Sequence, residues 1–462
     1  MKRRHRSFGV LLILGAWAAG AAGRQPQEDA ARHDQAASPA SQSNLPVIRA
    51  NVRQVLVPVV VTDQKGHYIT GLKASDFQVL EDGAPQTIVG FGTSTEPSAA
   101  PAADTSNSAP NSVSAKAPVP ATAAKGATPR RTYLICVDAL HSAFTNFGRV
   151  RAALIKFFDQ EQSADSQYAL IALGRESRVI HDSTRDPTAI LAAIQSKSFL
   201  SAIQDSEARG LARDAQQFTD LMHYEYCAAC ACESNGGVVD GPGCPAVKAR
   251  VKSFLLLNGE RTSILNQNFL RGLMELVKAT ARMPTQRTIV FISDGFNRNP
   301  GRELYAITDG FGPKDRSFQF NPRDTEDQLQ AVLKLAVRYD VKFYTIDSRG
   351  LYAASSLDGN SFDASSGGGG PEKVDLNVMS AAHENTDALF QLAHETGGLF
   401  FENSNDLFKG IHRAFADGRE SYLLAYVPTN NTLDGKYRKI KVDVKGKKLL
   451  VNAKAGYWAT PD

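Results

Sequence analysis

Apolar and polar positions alternate in three different ways along this chain. Between residues 55 and 91, β-branched runs are broken by turns rich in Gly and Asp. Val55-Leu56-Val57-Pro58-Val59-Val60-Val61 leads to Thr62-Asp63-Gln64-Lys65-Gly66, Phe77-Gln78-Val79-Leu80 leads to Glu81-Asp82-Gly83, and Thr87 to Phe91 follows. That spacing predicts a hairpin-built sheet. From residue 131 to 418 the pattern changes to continuous apolar runs at 133–137, 168–173, 288–292, 342–346 and 399–401. They alternate with helical periods at 150–158, 187–194, 264–281, 326–337, 388–396 and 407–415. Fully apolar runs of this length fit parallel strands covered on both faces. In the third helical segment Leu265, Phe269, Leu273 and Val277 form a single apolar stripe. The fold class that follows is α/β, with a doubly wound, mostly parallel sheet.

The chain ends as it began, with strand patterns at 421–427, 437–444 and 449–458. A front segment of about 45 residues is too short to bury a sandwich core alone. The terminal segments 47–92 and 419–462 are therefore expected to combine into one small all-β domain around a central domain at 131–418. The alternative is two separate small sheets, each leaning on the central domain.

Composition adds borders to this outline. With 22% charged and 42% apolar residues in 462, wholesale disorder and a fibrous rod are excluded. Residues 24–46 carry almost no large apolar side chain and read as a disordered lead. In 93–130, 28 of 38 residues are Ala, Pro, Ser or Thr, the composition of a linker. Residues 1–23 place Lys2, Arg3, Arg4 and Arg6 before a short apolar run with a small-residue exit, which is the order of a cleaved secretory signal. Its alternative is an uncleaved anchor, but a run diluted by Gly and Ala falls short of the roughly 20 apolar residues that span a bilayer. No other stretch is long enough, so no membrane span is expected after cleavage. The net charge of +4 disappears with those four cations, and with it any bulk-charge case for a nucleic-acid partner. The protein is expected to be secreted or periplasmic; nothing in the sequence specifies its oligomeric state.

Export frames the cysteines. Cys136 lies within an apolar strand pattern and reads as a buried thiol. Cys227, Cys230, Cys232 and Cys244 crowd into eighteen residues of an insertion at about 198–258. An oxidising compartment favours two disulfides there, in a loop with little core of its own; zinc is the alternative.

In an open parallel sheet, ligands bind beyond the carboxyl ends of the strands. After the first strand comes Asp138-Ala139-Leu140-His141-Ser142, and after 288–292 comes Ser293-Asp294-Gly295. His141 is expected to face solvent. Neither dinucleotide nor P-loop glycine patterns follow the first strand. His394-Glu395-Thr396-Gly397 has no second histidine four residues after His394, and Gly397-Gly398 is read as a helix stop. No Gly-x-Ser-x-Gly elbow is present, which weakens a secreted-hydrolase reading.

The element order, Asp138-x-x-x-Ser142 and Ile292-Ser293-Asp294-Gly295 resemble a von Willebrand factor A (VWA, Rossmann-like) domain. The flanks resemble the secreted bacterial VWFA-related proteins of acidobacterial type. The phrases that carry this likeness are Val60-Val61-Thr62-Asp63, Gly71-Leu72, Asp76-Phe77, Glu81-Asp82-Gly83, Tyr422-Leu423-Leu424-Ala425-Tyr426, Tyr437-Arg438-Lys439-Ile440 and Lys454-Ala455-Gly456-Tyr457. The resemblance implies a metal-ion-dependent adhesion site for Mg²⁺ or Mn²⁺, with Asp138, Ser142, Thr262 at the head of a helix, and Asp294 as oxygen ligands. Leu140 stands where the motif has its first serine, putting an apolar group beside the ion and making the site degenerate. The implied function is noncatalytic recognition of a protein or cell-surface ligand. A metal-independent structural or assembly subunit and a secreted hydrolase are the alternatives.

Overall fold

The structure, a computed structural model, describes residues 54–93 and 130–461 except 162, 164, 205–207, 231–240, 284, 302–303, 306, 309–324, 352–384 and 446–447. The expected signal (1–23), the lead (24–46) and nearly all of the linker (93–130) lie outside the described residues.

The front segment forms β1 (Val55–Thr62), β2 (Phe77–Glu81), β3 (Ala84–Gln86) and β4 (Ile88–Thr93). The central region supplies β5 (Arg131–Asp138), β6 (Ser166–Leu173), β7 (Ser177–Thr184), β8 (Gln286–Ser293), β9 (Val341–Asp347) and β10 (Phe400–Phe401). Its helices are α1 (Phe144–Gln160), α2 (Pro187–Gln195), α3 (Lys197–Gln204), α4 (Ala208–Asp220), α5 (Cys244–Thr280), α6 (Glu326–Arg338), α7 (385–396) and α8 (Leu407–Arg419). The end of the chain adds β11 (Ser421–Tyr426), β12 (Tyr437–Val444), β13 (Leu450–Asn452) and β14 (Gly456–Trp458).

The central sheet runs β10-β9-β8-β5-β6-β7, with parallel pairing throughout except at the β6–β7 edge. All eight residues of β5 are buried, because side chains that alternate across a strand here meet helices on both sides. Tyr133, Ile135 and Val137 pack with Leu154 and Phe157 of α1, Ile190 of α2 and Phe415 of α8. Leu134 and Cys136 pack with Phe269 of α5, Leu333 of α6 and Leu392 of α7. Each such Leu or Phe contributes about 1.5–3 kcal/mol by leaving water. The sequence pattern did not predict β7. As an antiparallel edge it is half-exposed, with Val179 61% exposed, so Ser-Arg-Val-Ile-His-Asp-Ser-Thr lacks an apolar run.

Helix α5 begins twenty residues earlier than its stripe predicted and runs for 37 residues, about 55 Å at 1.5 Å per residue. Its second half buries Phe269, Leu270, Leu273 and Val277 on the sheet, whereas Val251 and Leu255 in its first half close a separate cluster with Phe218, Met222 and Tyr226. In its described residues the cysteine-rich insertion, expected as a loop with little core, is therefore helical with an apolar centre of its own. Helix α7 stops at Gly397, whose φ of +79° favours glycine, and Gly398 N–H donates to Ala393 O at 2.9 Å.

The two chain ends interleave in two antiparallel sheets, β13-β1-β11-β4 and β14-β12-β2-β3. β1 pairs β11 from Val55↔Tyr426 to Val60↔Ser421, and β2 pairs β12 from Phe77↔Val444 to Glu81↔Ile440. One cluster joins Val57, Val59, Val79, Leu424 and Val442 from both sheets. At its edge the buried Glu81 accepts from Tyr426 Oη at 2.6 Å and Tyr457 Oη at 3.0 Å and faces Arg438 Nη1 at 3.6 Å. No helix among the described residues is long and apolar enough to cross a membrane.

Candidate functional site at the carboxyl ends of the strands

Asp138 ends β5, Ser293 ends β8 and Asp347 ends β9, so three neighbouring parallel strands deliver polar side chains to one edge. Asp138 is completely buried. Its Oδ1 accepts the backbone N–H of Leu140 and of His141, both at 2.9 Å, closing the turn that leaves the strand. Its Oδ2 accepts from Ser293 Oγ at 2.6 Å and lies 2.9 Å from His141 Nδ1.

His141 does not face solvent. Its side chain is 10% exposed, edge-on to Phe269 at 4.6 Å and tilted against Phe296 at 5.6 Å. The alternation that would have turned it outward belongs to a strand, and the backbone has already turned at Asp138. His141 Nε2 lies 2.8 Å from Asn266 Oδ1, while Asn266 Nδ2 donates to Asn297 O at 3.0 Å and so orients the amide with its oxygen toward the ring. Both ring nitrogens thus lie within hydrogen-bond distance of a side-chain oxygen.

Ser142 is buried and its Oγ accepts Asp294 N–H at 3.1 Å. Asp294 Oδ2 accepts from Ala143 N–H and Asn146 Nδ2, each at 2.8 Å, and Oδ1 accepts from the Ser348 hydroxyl. Burial, helped by the nearby Asp347 charge, holds the Asp294 carboxyl above the ordinary carboxylate range despite these bonds. Gly295 has φ +91°, and a Cβ there would lie 2.4 Å from Asn385 O, so this turn packs closely against the start of α7. Asp347 is held by Arg349 through its backbone N–H at 3.0 Å and Nη2 at 2.8 Å. Asp347 was missed although it directly follows an apolar run, the signal that identified the other two carboxylates.

Asp138, Ser142 and Asp294 therefore meet in one network. Thr262 has a different setting. It stands inside α5, not at a helix head, and its Oγ1 donates back to Asn258 O at 2.8 Å. The α5 residue that reaches the strand ends is Asn266, one turn later; an amide inside an amphipathic helix carries no sequence signal for this. Leu140 is 1% exposed and packs in the core with Phe269 and Phe291. Mg²⁺ and Mn²⁺ want an octahedron of free oxygens. Here both oxygens of Asp138 are engaged, the Thr262 hydroxyl is spent within its helix and position 140 offers none. This set does not fit such an ion unless those bonds break. Among the described residues no group of three His, Cys, Asp or Glu is placed to hold a metal.

Beside the Asp138 turn a cleft of about 390 Å³ opens between Ala139, Gly174, Arg175, Glu176, Arg178 and Ala202. In the insertion, Cys230 and Cys244 form a disulfide and Cys227 is also disulfide-bonded, which displaces the zinc reading for these three; Cys232 lies outside the described residues. Cys136 is free and buried, and burial, with Asp138 nearby, pushes its thiol well above the ordinary range.

No family model and no curated protein matches the chain. Solved structures give partial likenesses. BatB from Bacteroides thetaiotaomicron is 10% identical with a TM-score of 0.27, covering 62% of this chain and 98% of that one. Proximal thread matrix protein 1 from the mussel byssus is 10% identical with a TM-score of 0.28, covering 65% of this chain and 49% of that one. The PilB minor pilin from Streptococcus sanguinis is 10% identical with a TM-score of 0.27, covering 64% and 63%.

Proposed function

We propose that this chain is an exported, noncatalytic interaction protein of the VWFA-related kind, which recognises a protein or cell-surface ligand at the carboxyl edge of its parallel sheet without a metal ion. The observation that carries the reading is the engagement of Asp138: a buried carboxylate bonded to Leu140, His141 and Ser293 holds the edge together from within. The rim is open to a partner through the cleft beside Ala139 and through Leu351, which is 63% exposed just beyond β9. The Cys230–Cys244 disulfide supports an oxidising compartment. The competing reading seats Mg²⁺ or Mn²⁺ among Asp138, Ser142, Thr262 and Asp294; it requires the Asp138 and Thr262 bonds to be exchanged for ligation.

The test is binding of the purified mature chain to envelopes of its source cells, with and without EDTA, beside Leu351→Asp. Binding should survive the chelator and fall in the variant. Binding lost to EDTA and restored by Mg²⁺ would favour the metal reading, and turnover in a screen of ester, peptide and glycoside substrates would replace both with a hydrolase.

A further inference from the structure

At the other end of the parallel sheet from Asp138, a groove of about 660 Å³ opens where α6 packs on the terminal sheets. Arg287 at the start of β8, Lys334 and Arg338 in the last turns of α6, and Lys454 between β13 and β14 contribute four cations to its wall, against one carboxylate, Asp340. Asp340 Oδ1 serves Lys454 Nζ at 3.5 Å. The other three cations have no carboxylate partner among the described residues. Lys334 Nζ lies 5.8 Å from the centre of the Trp458 ring, and the exposed Arg338 donates from Nη2 to Pro461 O at 3.4 Å. Arg287 Nη1 donates to Ala281 O at 3.2 Å and Met283 O at 3.3 Å, but its Nε is buried with no partner. The whole chain is nearly balanced, at 52 basic against 48 acidic residues, so this excess is a local arrangement. Arg287 lines the groove, and a carboxylate is the acceptor that a planar guanidinium fork matches.

We propose that this groove binds an acidic segment of a protein partner, with carboxylates on Lys334, Arg338 and Arg287 and apolar side chains against Leu56 and Trp458. The cations stand at three places in the fold, Lys334 and Arg338 sharing α6, with Leu56, Leu335 and Trp458 among them, a layout suited to an extended chain with several charges rather than to one small anion. Strand β1 borders the same groove. It pairs β11 from Val55 onward, whereas β13 pairs it only over Val60–Thr62 among the described residues, so an extended backbone has a strand to follow. The inference concerns the opposite end of the sheet from the reading above and stands or falls separately from it.

The test uses the mature chain and a fluorescein-labelled peptide alternating Glu with Leu and Ser, read by anisotropy and by the fluorescence of Trp458. Binding should saturate, weaken as NaCl rises and become about tenfold weaker in Lys334→Glu/Arg338→Glu, while Lys334→Arg retains it. Both sites lie on an exposed helix face, and an unchanged melting curve establishes that the double variant is folded. Arg287→Met should weaken binding as well. The proposal is overturned if the peptide does not bind, if the double variant binds as tightly as the wild type, if a peptide with Lys in place of Glu binds equally, or if millimolar inorganic phosphate displaces the peptide completely.

Discussion

His141 Nδ1 lies 2.9 Å from Asp138 Oδ2 within a single buried turn, and the same imidazole reaches Asn266 on α5 at 2.8 Å. Through these two contacts one side chain joins β5 to α5, and through Ser293 the shared carboxylate joins both to β8. His141→Ala leaves a buried carboxylate short of a donor, Asn266 Oδ1 without its partner and a gap between Phe269 and Phe296. It should lower unfolding free energy by about 3–5 kcal/mol, measured by urea denaturation; a loss below about 1 kcal/mol would mean that the network is incidental.

Leu140→Ser restores the oxygen that an adhesion site of this kind carries, but in this fold it places a hydroxyl in an apolar cluster. The variant should be destabilised by about 2–5 kcal/mol and should gain no cation-dependent stability. A melting temperature that rises with Mg²⁺ in this variant would show that position 140 can turn toward the carboxylates.

Asp417 on α8 is fully buried and accepts from Tyr68 Oη and Arg413 Nε, each at 2.6 Å, and from Tyr344 Oη at 2.9 Å. It thereby ties the turn after β1 to β9. Asp417→Ala should cost about 3–5 kcal/mol and speed amide exchange around Tyr68, whereas Asp417→Asn, which keeps one acceptor, should cost less.

Lys342 in β9 is pressed into a position where burial holds its ammonium below the ordinary lysine range, against the opposing pull of Asp340 and Asp417. The folded state then binds fewer protons than the unfolded chain in the interval below about pH 10.4, so stability from this group increases as pH rises through that interval. Lys342→Met should be at least as stable as the wild type at pH 7 and should lack that rise. Comparing wild type with variant at each pH cancels the tyrosines; identical pH dependences would contradict the assignment.

Legibility in the sequence followed burial. β5, β6, β8 and β9 were plain because strands covered on both faces must be apolar throughout, and Asp138 and Asp294 were plain because they end such runs. β7 was hidden because one face of an edge strand meets water. The first half of α5 was hidden because its Val251 and Leu255 serve a cluster inside the cysteine-rich insertion, away from the main stripe. At the site, His141 was misplaced by carrying strand alternation into a turn. Thr262 was assigned by resemblance, while the group that makes the contact, Asn266, depends on how a long helix crosses the strand ends, which no local pattern encodes.

In the proposed function the carboxyl edge of the sheet is held by its own hydrogen bonds and not by an ion. Thermal unfolding of the mature wild-type chain in EDTA, and in rising MgCl₂ or MnCl₂ at constant ionic strength, tests it most directly. The melting temperature should stay the same throughout. A rise that continues past a dissociation constant, equivalent to about 2.7 kcal/mol at a hundredfold excess, and that is absent in Asp138→Ala, would contradict it.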